Sequence, residues 1–216
     1  MNKEKKFFYS PWITIWTKPR ETIKNLKDNT SEIIILLLSI LGSVSIELYF
    51  KELTEVEILS GGIKSIILEC IRNGIITGIV SIYLSGKIFH ILGKHMGGIA
   101  SFKEIRVTLA WSQVPLIYAL ILHVIKIAIF KQEIFMASSE IIDGSMLLAV
   151  LIRLFIILDI VIGIKQLIIF LKCISEAQGF KEEDGLGKAA KCTLISFAIW
   201  ICTIGMMISV LSVIFS

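Results

Sequence analysis

Five ionisable residues stand where an apolar chain has little reason to keep them: Glu69, Arg72, His123, Arg153 and Asp159. All lie inside long apolar blocks. A charge at the centre of a bilayer costs at least about 2.5–3.5 kcal/mol even on the lenient insertion scale, so such residues face a bundle interior, pair with one another or line a pathway. Glu69 and Arg72, three apart, share a helical face and are placed to pair with each other. Arg153 and Asp159, six apart, fall on different faces and are poor partners. Asp159 lies near mid-depth of its block and is expected to face the interior or to be protonated. The five form a candidate intramembrane polar cluster, suited to a permeation pathway or equally to a structural ion-pair network. Lys87, His90, Lys126 and Lys165 sit nearer block ends, where long side chains snorkel to the headgroups and need no special role.

Signatures of enzyme chemistry are missing from the sequence. The histidines His90, His95 and His123 lack HxxxH or HExxH spacing, so neither a metal site nor a cofactor is expected. There is no GxSxG, no GxxxxGK[ST] and no paired acidic motif of an intramembrane protease. "GKHMGG" (Gly93–Gly98) is glycine-rich and basic, and reads as a flexible turn before it reads as a phosphate cradle. Cys70, Cys173, Cys192 and Cys202 form no CxxC pair and are expected to be reduced structural thiols. The expectation is a protein that is not an enzyme.

The elements that carry these residues follow from composition. Of 216 residues, 55% are hydrophobic and 19% charged, with a mean hydropathy of +0.82; a soluble domain is about one quarter charged. The apolar residues gather into five blocks, at about 33–50, 66–92, 107–130, 146–171 and 193–215. Each is long enough to cross about 30 Å of hydrocarbon at about 1.5 Å per residue. The predicted fold is an all-α integral membrane protein with five transmembrane helices. Residues 1–31 form a cytosolic or interfacial segment with a short helix, and 32–216 a single membrane domain.

Lysine and arginine set the orientation. Segment 1–31 and the loops after the second and fourth blocks carry fourteen, and the alternate segments three. The positive-inside rule puts the N-terminus in the cytoplasm and the C-terminus outside. The N-terminal run is too short, too polar and too poor in small residues to be a signal peptide. Trp12 and Trp16, four apart, share a helical face suited to the headgroup level, with Arg20 and the following lysines toward anionic lipid. Nothing in the charge pattern suggests nucleic acid.

Two spacings concern packing. Gly74, Gly78, Ser81 and Ser85 make a small-residue face that lets a neighbouring backbone come close, within the chain or between copies. Ala198, Cys202, Gly205, Ser209 and Ser212 repeat the device in the fifth block. In "VTLAWSQVPLIYALIL" (residues 107–122), Pro115 deprives the carbonyl of Trp111 of its helical donor. The preferred reading is an amphipathic approach along the cytoplasmic face, with Phe102, Ile105, Leu109 and Trp111 toward lipid or protein, and Pro115 at a bend into the span. A continuous kinked helix is the alternative.

Three stretches in order, "PW…KPRETI", "GGIASFKEIRVTLAWSQVPLI" and "ISEAQGFKEEDGLGKAAK", resemble the Yip family, the Ypt/Rab-interacting protein family, in its bacterial form. The resemblance covers essentially the whole chain. It implies a five-helix membrane domain with a cytosolic N-terminus, in agreement with the charge count. Eukaryotic relatives bind prenylated Rab-type GTPases in vesicle traffic; the segment before the first block here is short, and that partner is not carried over. A candidate cytosolic-face motif follows from the three stretches: Trp12, Trp16, Pro19, Arg20, Phe102, Glu104, Trp111, Pro115, Glu176, Gln178 and Gly179. The leading expectation is an organising or adaptor protein, in the plasma membrane if the source is bacterial. Its partners would be the lipid bilayer and a membrane or cytosolic protein, with homo-oligomers left open. The alternative is a small transporter using the polar cluster.

Overall fold

The computed structural model describes residues 10–54, 62–136 and 139–214. Among these the secondary structure is helical, without strands. Helices α1 (Pro11–Thr17) and α2 (Pro19–Leu26) each carry proline in the first turn, where its missing N–H breaks no bond. Ser31 caps α3 (Glu32–Leu53) through the Ile34 amide. Then come α4 (Gly62–His95), α5 (Phe102–Ser112), α6 (Val114–Phe130), a 3₁₀ turn (Lys131–Phe135), α7 (Glu140–Asp143), α8 (Met146–Ala177) and α9 (Glu182–Ile214).

Among the described residues, four helical segments are long and apolar enough to cross a membrane: Glu32–Leu53, Gly62–His95, Phe102–Phe135 and Met146–Ala177. The fifth predicted block falls on α9 as far as Ile214, and the side chains beyond Cys202 are outside the described residues, Gly205, Ser209 and Ser212 among them. Along α8, Ile157, Val161 and Ile164 are all more than half exposed. So broad an apolar surface on a long helix calls for lipid around it. α4, with 34 residues, spans about 50 Å, so its end reaches well past the hydrocarbon.

α3 packs on α4 and α6, α8 on α6 and α9, and α5 sits among α3, α4 and α8. The α3–α4 contact depends on glycine. A Cβ on Gly74 would lie 2.8 Å from Val44 Cα, and one on Gly78 2.8 Å from Ile40 Cα. The Ser39 hydroxyl donates to the Gly78 carbonyl at 2.8 Å. The buried line along α4 runs Cys70, Gly74, Gly78, Ile82, Gly86, Phe89, Gly93. Ser81 and Ser85 are half-buried beside it. Half of the small-residue face thus lies in the contact, which is made within the chain, and Gly86 and Gly93 extend it.

The helix breaks at Gln113, whose amide donates to the Ala110 carbonyl at 3.1 Å. Pro115 sits in the first turn of α6, which favours the break over a continuous kinked helix. α5 is not an amphipathic surface helix. All eight residues from Ile105 to Ser112 are buried, so this part of the helix is surrounded by protein; the apolar face read from Phe102, Ile105, Leu109 and Trp111 is one side of an enclosed rod.

Candidate functional site

The motif residues meet in one packed layer at one end of the bundle. The Trp12 ring meets Trp111 edge-on at 5.8 Å, and Trp16 meets Tyr118 at 5.5 Å. The two tryptophans share a face as expected, but that face is half-buried against protein. Trp111 Nε1 donates to the Thr30 hydroxyl at 3.1 Å, and Thr30 donates to the Leu26 carbonyl at 2.8 Å. Pro19 is buried, with its carbonyl 4.0 Å from Cys173 Sγ on α8. Arg20 and Glu176 are half-buried, and Pro115 is buried.

Phe102 and Tyr83 flank Arg106, their ring centroids 4.8 and 5.0 Å from its guanidinium. Arg106 reaches Glu32 with both terminal nitrogens, at 2.5 and 2.9 Å. The fork holds the starts of α3 and α5 together with two parallel bonds. Glu104 completes a capping box with Ser101 and bonds Lys27 at 2.8 Å. That bond raises the Lys27 ammonium above its ordinary value, against the opposing effect of partial burial. Gln178 is fully buried. Its Nε2 donates to the Phe89 carbonyl at 3.0 Å and its backbone carbonyl accepts from Ile99 at 3.0 Å. Gly179 turns the chain at φ +66°, a conformation glycine adopts without strain.

Arg106→Lys tests whether this layer depends on geometry or on charge alone. Lysine keeps the charge but loses the fork and the stacking between two rings. Its expected cost is about 1–3 kcal/mol, read as a lower midpoint of thermal unfolding in neutral detergent. An unchanged midpoint would assign Arg106 to charge balance only.

The second place is buried deeper. His123 Nδ1 lies 2.8 Å from Glu52 Oε1. The Lys126 ammonium donates to Glu52 Oε2 and, at 2.7 Å, to Asp159 Oδ2. The side chains of His123, Lys126 and Asp159 are only 1%, 3% and 7% exposed. Four residues from three helices, α3, α6 and α8, thus form one ion cluster. Asp159 Oδ1 is buried without a hydrogen-bond partner among the described residues. Beside it a cavity of about 240 Å³ is lined by Ser45, Tyr49, His123 and Asp159, with Ile46 and Ile164 at its rim. Ile46, Tyr49 and Ile164 are all exposed, so the cavity opens sideways, where lipid would lie.

Of the five residues expected to cluster, the structure brings together His123 and Asp159. Glu69 pairs with Lys51 at 3.0 Å rather than with Arg72. Arg72 bonds the Asn73 side chain at 3.3 and 3.2 Å and is exposed, as is Arg153. Sequence reasoning passed over Glu52, which lies just beyond the first apolar block, and Lys126, a supposed snorkelling residue. A signal for Lys126 was available: it follows His123 by three, on the same face of α6.

Long apolar helices around these two layers define a polytopic helical membrane protein. The Yip1 domain family matches residues 13–206, nearly the whole chain, and the chain belongs to that family. Comparison with curated proteins and with solved structures gives no significant match.

Proposed function

We propose that the chain is a non-enzymatic organising membrane protein, of the plasma membrane if its source is bacterial, with five spans, a cytosolic N-terminus and an outer C-terminus. Its cytosolic end is a prebuilt platform for a protein partner. The observation that carries this reading is the convergence of three chain-distant segments, α1–α2, α5 and the α8–α9 turn, into one packed layer. Most of the motif residues form the inside of that platform, so the partner would meet what they leave outward. Ile99 is 79% exposed next to Gly179, with Lys94, Lys103 and Lys181 exposed nearby in the chain. An exposed isoleucine, with exposed lysines close in sequence to it and to Gly179, suits a partner surface of acidic and apolar character.

Photo-crosslinking in native membranes tests this. A crosslinking side chain at position 99 is expected to give a discrete protein adduct, absent from the same probe at position 157 on the lipid side. Lipid adducts alone at position 99 would overturn the platform reading. The buried cluster favours a second reading, a small transporter. Under it Asp159→Asn would abolish flux in proteoliposomes and leave the position 99 adduct intact.

A further inference from the structure

The cluster on α3, α6 and α8 has the chemistry of a cation seat. Two carboxylates, Glu52 and Asp159, face one ammonium, Lys126. The site is enclosed by apolar helices, where unbalanced charge is poorly tolerated. One ligand atom from each of Glu52, His123 and Asp159 lies within 4.8 Å of the others. A four-coordinate ion with bonds of about 2.0–2.2 Å holds its ligands roughly 3.4 Å apart, so modest side-chain rotations close the set.

Two further features point to an ion. Asp159 Oδ1 is buried, lacks a partner among the described residues and belongs to a carboxylate lining the lateral cavity. The Glu52–His123 contact at 2.8 Å points the imidazole Nδ1 at a Glu52 oxygen, so an ion that displaces the shared proton meets both donors at once.

We propose that Glu52, His123 and Asp159 bind one divalent first-row transition-metal ion, with Lys126 as a built-in competitor for the same seat. A divalent ion in place of the ammonium balances both carboxylates. Mixed imidazole and carboxylate donors suit zinc, manganese, iron or cobalt better than magnesium or calcium. The ligands come from three packed helices and not from one helical motif. The lateral cavity beside His123 and Asp159 leaves the ion an open coordination position. This site does not depend on the platform reading.

The test is titration of the purified full chain in neutral detergent with Co²⁺, whose tetrahedral complexes absorb in the visible. One equivalent is expected to give such a band, which Zn²⁺ removes and Mg²⁺ does not. Asp159→Asn and His123→Gln should each weaken binding at least tenfold. Lys126→Met, which keeps the ligands and removes the competitor, should bind Co²⁺ at least tenfold more tightly and gain more thermal stability from Zn²⁺ than the native chain. No band in the native chain and none in Lys126→Met would overturn the proposal. So would a band that survives both ligand substitutions, which marks adventitious binding at exposed groups such as His95 or Cys202. If Lys126→Met does not fold, the native titration and the ligand variants decide.

Discussion

Lys126→Met is expected to destabilise the protein by about 3–5 kcal/mol in buffer containing a chelator, the range for removing one partner of a buried ion pair. The thioether matches the lysine stem in length and volume and leaves no cavity, so packing changes little. What changes is charge: Glu52 and Asp159, both largely buried, lose the group that held them together. The measurement is the unfolding midpoint in neutral detergent, by intrinsic tryptophan fluorescence. The double variant Lys126→Met/Asp159→Asn should recover part of the loss, because one buried charge costs less than two. A cost below about 1 kcal/mol would mean that the cluster is solvated like a surface pair.

The second large effect is expected from a pair of glycines on different helices. Gly78→Leu places its Cβ against the backbone of Ile40 and the carbonyl of Ser39, atoms that cannot rotate away. α3 and α4 must separate, and the Ser39–Gly78 hydrogen bond is lost with them. A cost of about 1–3 kcal/mol is typical for overpacking, and backbone opposition puts this site at or above the upper end. Gly163→Ala on α8 is the control, since a Cβ at that position meets no atom within 4 Å. Replacing a helical glycine there should stabilise by about 0.5–1 kcal/mol. Cysteine crosslinks between α3 and α4 near Ser39 and Gly78, formed in the native background and lost in Gly78→Leu, would report the separation directly. Equal midpoints for both glycine variants would show that the α3–α4 contact is looser than its geometry.

The sequence spoke most clearly where one physical force dominates. Long apolar blocks call for long helices, and the first four fall within the four long helical segments found among the described residues. Proline and glycine were also legible, because their constraints are local: Pro115 marks the break after α5, and Gly74 and Gly78 mark the close backbone approach of α3 and α4. Reading failed where the deciding contact is distant in the chain. Glu52 and Lys126 are 74 residues apart, and each alone looks like a solvated end-of-helix charge. Arg72 and Arg153 have the same local appearance and are exposed. Depth within an apolar block therefore does not separate a buried ion from a snorkelling one; that depends on which helix lies opposite. α5 misled for a related reason. Its eleven residues are too few to show that a helix is enclosed on every side.

That enclosure has a consequence for how the protein is made. A ribosome delivers Glu32 long before Arg106, so the anionic half of the fork is already waiting when α5 emerges. The wall formed by α8 comes later still, and until it is synthesised the flank of α5 that meets it has no cover. Assembly of this layer must then wait for the fourth long helix. A nascent chain halted before Met146 would show quality-control machinery a short helix still half dressed.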